Sequence, residues 1–330
     1  MGMNRMRAYK RVLFTIAALF LAIPVFAQEA RSTAVIWTDR GDVAALDLVS
    51  GPGGKDHEPG TDFRFIKESH GGTSPKFDVE DEHGTKWKVK VGEEAKSETA
   101  ATRLLWAAGY VVDEDYYRAE IRVRGLKRLA RGQEFVSHGD TVTGARLERK
   151  TGHKESKTWS WYDNPFVGTR EFNGLRVMMA LVNNWDLKEI NNSASDTSGG
   201  GRQYGISDLG ATFGRTGNSL TRSKGVPKDY AETEFIEKVT PTYVDFVGHS
   251  RPFFLSLFNF RNYRFRTQME SVVNHIPIAD ARWIGNRLGQ LSPGQLRDCF
   301  RASGFSPADV EAYTQVVMQR IAALKKLEGT

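Results

Sequence analysis

Residues 183–214, NNWDLKEINNSASDTSGGGRQYGISDLGATFG, decide how the rest of the chain is read. Two acid-bearing segments, 185–191 and 207–210, are joined by a Gly/Ser-rich connection that only a loop accommodates. A short strand after Asn192, a turn over 196–201 and a strand over 203–207 predict a hairpin that carries Asn191 and Asp208 side by side. Asp followed by Asn five residues later is expected about once by chance in a chain this long, and requiring Lys two residues after the Asp lowers that to roughly 0.04. Asp186, Lys188 and Asn191 meet all three conditions, and Asp208-Leu209-Gly210 follows a strand-like run. The plainer alternative is a polar hairpin whose Asp and Asn make Asx turns.

The chain of 330 residues begins with Arg5, Arg7, Lys10 and Arg11, continues with an apolar run over 12–26 and ends that run on Val25-Phe26-Ala27. This is the pattern of an export signal over residues 1–27, and the run is shorter than the about 20 residues of a spanning helix. Removing it takes away four basic and no acidic residues, so the net charge falls from +6 to +2. Such a charge leaves no nucleic-acid footprint and no permanent membrane span to expect. Cys299, the only cysteine, lies in an amphipathic pattern and reads as core. The seven histidines are scattered without an i, i+4 pair, which excludes a structural zinc site. The sequon at Asn191-Asn192-Ser193 is too short a pattern to weigh.

Strand-like runs at 33–37 and 43–48 precede a three-stranded meander at 63–66, 76–79 and 87–91. The first two strands of the meander are joined by a stretch containing Gly71-Gly72-Thr73-Ser74, small enough for close approach of backbone N–H groups to phosphate and equally suited to an ordinary hairpin turn. The third strand alternates, with Trp87, Val89 and Val91 on one face and Lys86, Lys88 and Lys90 on the other. Alternating lysines usually mark a solvated face. Here a helix follows over 95–109, with Ser97 as a candidate cap, Gly109 as its stop and Glu98 on the edge of its apolar stripe. A carboxylate there suits a lysine partner on the adjacent sheet, Lys90 in preference to Lys88, with Glu94 as the alternative to Glu98.

Strand-like runs at 116–123, 134–137 and 141–149 complete the small sheet, and the aromatic cluster Trp159-Ser160-Trp161-Tyr162 follows. A second helix, capped by Thr169 with a stripe of Phe172, Leu175, Met179 and Val182, leads into the 183–214 stretch. Residues 213–229 are polar and Gly-rich. From Thr233 the pattern reads as helical to the end, including 251–266, where aromatics alternate with arginines on what reads as a core helix with snorkelling arginines.

In this order the motifs resemble an atypical protein-kinase-like superfamily, of the HipA type, the CotH type and the secretory-pathway atypical kinases. The resemblance covers roughly residues 63–214. It implies an α+β, two-lobed fold with a small antiparallel-sheet N-lobe carrying one helix (28–160) and a mostly helical C-lobe (161–330). It further implies that Asp186 is the catalytic base and that Lys188 stabilises the transferring phosphoryl group. Gly71, Gly72, Thr73, Ser74, Lys90 and Glu98 would bind nucleotide, and Asn191 and Asp208 would bind metal. The implied cofactors are ATP with Mg2+ or Mn2+, and the implied partners are a nucleotide and a protein, glycan or small-molecule acceptor. The implied activity is phosphoryl transfer to an alcohol by an exported, periplasmic or secreted enzyme. Asn184-Trp185 stands where ordinary kinases carry His-Arg, Leu209 replaces the usual Phe, and no Ala-Pro-Glu follows. A secreted kinase-fold binding module without catalysis is the alternative.

Overall fold

The third strand of the meander shows how the small lobe is built. In the computed structural model, which describes residues 33–137, 140–150, 155–197, 199–217, 221–248 and 267–328, that strand is β4 (Lys86–Val91). Trp87, Val89 and Val91 are buried in one apolar cluster, and the lysines face the other way. The export signal and the 251–266 stretch lie outside the described residues. With β1 (Ala34–Val35) preceding them, β2 (Asp62–Ser69) and β3 (Lys76–Asp81) form the expected meander with β4. The chain then adds β5 (Val111–Val112), β6 (Asp115–Arg124), β7 (Val136–Ser137) and β8 (Thr141–Arg149). Strand β8 pairs with both β6 and β4, so the order β4-β3-β2-β6-β8 closes on itself. Closure leaves those five strands without a free edge. Its one parallel pairing, β2 with β6, departs from the all-antiparallel sheet expected.

Phe63, Phe77, Val79, Trp87, Val89, Val123 and Leu147 fill the inside. The outward face is charged. Lys76 lies opposite Lys90, and Lys90 opposite Arg146; Asp78 lies opposite Lys88, and Lys88 opposite Glu148. Directly paired residues share a face, so these side chains form one charged wall across three strands.

Helix α1 (Glu94–Ala108) covers that wall. Ser97 does not cap it: the helix starts at Glu94, and the Ser97 hydroxyl donates to the carbonyls of Glu94 (3.2 Å) and Gly210 (3.0 Å). Gly109 ends it in the left-handed region at φ 109°, where L side chains are strained. Glu94, Glu98 and Thr102 make polar contacts with the barrel wall, while Ala100, Leu104, Leu105 and Ala108 enter the second, larger core. Each of those leucines contributes about 1.5–3 kcal/mol by burial.

The larger core belongs to the C-terminal half. Helix α2 (Arg170–Leu181) starts where Thr169 accepts a hydrogen bond from the Phe172 N–H, and it delivers the chain into residue 183. The predicted hairpin forms from β10 (Asn192–Asp196) and β11 (Arg202–Ile206), which pair over five residues each. Strand β9 (Glu155–Lys157) extends it on one side, and β1 and β5 join β11 in parallel on the other.

Two further expectations fail. Residues 43–48 make a single 3-10 turn at Val43–Ala45, capped by the Asp42 carboxylate, instead of a strand. After the short helix α3 (Pro227–Glu232), residues 236–246 form a hairpin of β12 (Ile236–Val239) and β13 (Tyr243–Phe246), to which β14 (Ile276–Pro277) adds a third strand. Pro241 at the turn and the β-branched or aromatic residues around it override the helical pattern read there. Helices α4 (Ile278–Leu288), α5 (Pro293–Ala302) and α6 (Pro307–Lys325) then close the core, the last two with proline at their first position and a serine cap. Among the described residues no helix is long and apolar enough to cross a membrane.

Candidate active site

Lys90 ends the charged wall of β4, and its ammonium reaches three carboxylates from two other elements. Nζ lies 2.6 Å from Glu98, 3.2 Å from Glu94 and 3.3 Å from Asp208, the last 118 residues along the chain. These three acids are close enough together to hold a metal ion, yet the cation among them is the Lys90 ammonium itself. Burial pulls the Lys90 ammonium toward losing its proton. Glu98, Asp208 and Glu94 outweigh that pull and hold it above the ordinary lysine value.

Glu98 is gripped from both sides. Its other oxygen is 2.7 Å from Arg146, which also binds Glu148 at 2.8 Å and approaches Asp115 at 3.5 Å. Burial pushes the Glu98 carboxyl up, against the pull of Arg146 and Lys90. Each of its oxygens faces a cation, Lys90 on one side and Arg146 on the other, so the geometry favours the ionised form. Lys88, two residues earlier on this face, is committed elsewhere, 2.6 Å from Glu148.

Glu94 ties the wall to the loop above it. Its carboxylate accepts from Ser74 at 2.6 Å and pairs with Lys224 at 2.7 Å as well as with Lys90. Burial would raise it, but Lys90, Lys224 and Ser74 bring it down to about 2. Gly210 is glycine because of this carboxylate: a Cβ there would sit 2.6 Å from the Glu94 oxygen and 2.9 Å from the Glu94 Cβ. The glycine after Asp208 is thus a packing requirement of the acid on α1.

The 183–191 stretch makes its own cluster. Asn183 adopts φ 52°, its amide donating to Gly214 O at 2.8 Å and its oxygen accepting from Arg320 at 2.7 Å. Arg320, buried on α6, also donates to the carbonyls of Leu181, Tyr230 and Thr233, so the end of α2 and the start of the loop are held by one guanidinium. Asn184 then accepts from the Asp186 N–H at 3.0 Å. Lys188 lies 2.7 Å from the Asp186 carboxylate, and the Asn191 amide nitrogen donates to the Asp186 carbonyl (2.7 Å) and carboxylate (3.3 Å). The Ser207 N–H donates to Asn191 O at 2.9 Å, which puts Asp208 one residue beyond the point where the two strands meet.

The oxygen atoms left over are, in kind, those a divalent metal takes. With its nitrogen turned to Asp186, Asn191 has its amide oxygen available. Asp208 is 39% exposed and uses one oxygen for Lys90 and the Gly210 N–H. A carboxylate oxygen and an amide oxygen are hard ligands of the kind Mg2+ and Mn2+ take.

Gly71, Gly72 and Thr73 are exposed at the top of the β2–β3 turn, and Ser74 is half-buried. Arg131 holds the turn from outside, donating to the carbonyls of Ser69, Gly72 and Thr73 at 2.6–3.3 Å. Of the residues named from sequence, the structure brings Lys90, Glu98 and Asp208 into direct contact, with Ser74 linked to them through Glu94. It gathers Asp186, Lys188 and Asn191 into a second group, joined to the first through the hairpin. Arg146, Lys224, Lys76 and Arg320 escaped the sequence reading. Arg146 and Glu148 alternate on a strand that was recognised, which was a usable signal; Lys224 and Arg320 act only through tertiary contacts.

No protein-family model matches the chain, and no curated protein matches it. Among solved structures it is similar to the Helicobacter pylori proinflammatory kinase CtkA, at 12% identity over 82% of this chain and 95% of that one, with a TM-score of 0.46. It is also similar to the Golgi casein kinase with Mn and ADP bound, at 10% identity over 81% and 72% of the two chains and a TM-score of 0.37. A second structure of the Golgi casein kinase gives 10% identity and a TM-score of 0.35. These resemblances are distant. Likeness at this level carries no argument about chemistry, which rests on the side chains above.

Proposed function

We propose that the chain is an exported, metal-dependent phosphotransferase of the kinase-like type, moving a phosphoryl group from ATP to an acceptor hydroxyl. The observation that carries this reading is the meeting of Lys90, Glu98 and Asp208 from a strand, a helix and a distant hairpin, next to the Asp186, Lys188 and Asn191 group. Phosphoryl transfer is mostly positioning and charge neutralisation, so a fixed cation, a metal-binding acid and amide, and a proton acceptor are the parts it needs. Lys90, oriented by Glu98, binds phosphate oxygens. Asp186 accepts the proton of the acceptor hydroxyl, and Lys188, now paired with it, turns to the transferring group. Asn191 and Asp208 would hold Mg2+ or Mn2+, which supplies charge neutralisation along the phosphates.

Export rests on the residues of 1–27 and places the reaction in the periplasm or outside the cell. Calorimetric titration with ATP in the presence of Mg2+ or Mn2+ tests the proposal. Saturable binding that needs the metal is expected, and no binding with either metal would remove its main support. ATP consumption abolished by Asp208→Ala would exclude the inactive-module alternative.

A further inference from the structure

Among the described residues, Lys76 on the charged wall of the barrel is half-buried with no carboxylate at ion-pair distance. Lys76 opens β3 directly after the glycine turn and lies opposite Lys90 in the register, so both side chains leave the same face. Its half-buried ammonium lies under the turn, 3.2 Å from where a Cβ on Gly72 would be. Lys88, Lys90, Lys150, Lys188 and Lys224 each have a carboxylate within ion-pair distance. Among the described residues Lys76 has none, and its ammonium makes no hydrogen bond. Burial and the nearby Lys90 charge both lower its proton affinity, with Asp208 opposing them. A half-buried second cation beside Lys90, with no carboxylate of its own at ion-pair distance, gains from an anion that reaches both.

We propose that Lys76 is a second phosphate-binding cation, acting with Lys90 on the phosphate chain of a nucleoside triphosphate seated between the glycine turn and Asp208. This rests on the phosphotransferase reading. The turn supplies the matching surface: among the described residues, the N–H groups of residues 71–74 donate to no protein acceptor. Gly72, at φ 71°, has no side chain to separate the Lys76 ammonium from a ligand above it. Lys76 thus takes over part of the work that a longer glycine-rich phosphate loop performs through its backbone. Because it has no internal partner, its charge is worth more to the ligand than to the fold.

The test is metal-dependent binding of ATP, ADP and AMP to the wild type, K76Q and K76R, with the melting temperature of each free protein. K76Q is expected to lose about 10- to 100-fold in ATP affinity, the worth of one charge-assisted contact. It should lose less for ADP and little for AMP, and K76R should retain most of the affinity. The melting temperature of ligand-free K76Q should not fall, because the lost charge has no partner. K76Q binding ATP as tightly as the wild type would overturn this proposal alone. So would an equal loss for all three nucleotides accompanied by a lower melting temperature, which marks a structural lysine. A wild type that binds none of the nucleotides would overturn the phosphotransferase reading and this inference with it.

Discussion

Glu98→Gln should damage the fold before it damages catalysis. Glu98 holds Lys90 at 2.6 Å and Arg146 at 2.7 Å, and all three side chains are at most 4% exposed. At an effective dielectric near 20, each of those contacts has a gross attraction of about 6 kcal/mol. Glutamine is nearly the same size, so the change removes the charge and leaves the packing. Returning the carboxylate to water in the unfolded chain offsets several kcal/mol of the loss, and Lys90 and Arg146 retain other partners. The net expectation is the about 3–5 kcal/mol typical of breaking a buried ion pair. Lys90→Met should cost less, because Glu98 keeps Arg146 and Glu94 keeps Lys224 and Ser74. Urea unfolding followed by tryptophan fluorescence, with the order of midpoints wild type, Lys90→Met, Glu98→Gln, checks both statements. A Glu98→Gln protein within about 1 kcal/mol of wild type would refute the account of the buried network.

Gly210→Ala should destabilise by about 1–3 kcal/mol, read from the same unfolding curves, since the new Cβ meets the Glu94 side chain at 2.6–2.9 Å. The stabilising interactions of Glu94, whose carboxyl is lowered to about 2, are fully present above its ordinary value of 4.5 and are lost as pH falls toward 2. Linkage over that interval amounts to about 3 kcal/mol, so the stability gap between wild type and Glu94→Gln should stay level above about pH 5 and narrow as pH falls from there toward 2. Asp186→Asn should keep nucleotide binding while single-turnover rates fall by about 10²- to 10⁴-fold, the worth of a positioned base. Asp208→Ala should instead lose metal-dependent nucleotide binding, measured by calorimetry.

Much of the site was legible because its geometry is local. The alternation of Trp87, Val89 and Val91 against Lys88 and Lys90 is a property of any strand, and a turn rich in Gly and Ser between two short polar strands has to be a hairpin. Asn191 and Asp208 therefore come near each other without tertiary information. The choice between Glu94 and Glu98 was not legible in that way. The two acids are four residues apart on one face of α1, and Lys90 touches both. What separates them is what lies on either side of Lys90: Arg146 on the barrel beneath Glu98, and Ser74 with Lys224 around Glu94.

The same reason explains why the lysine under the turn went unseen. Sequence identifies Lys76 as the first residue of a strand, where a solvated lysine is ordinary, and only the inventory of partners shows that it differs from its neighbours. The acids within reach of each lysine make the difference. When β8 pairs with β4, it brings Glu148 to Lys88, whereas Lys90, beside the like charge of Arg146, is satisfied by Glu94 and Glu98 of α1 and by Asp208 beyond the hairpin. Strand β3 pairs on its other side with β2, which offers Ser69 opposite Lys76 and no acid within ion-pair reach. The inner lysines are therefore neutralised by the fold, while the one at the mouth of the turn keeps its charge for whatever anion the cleft receives.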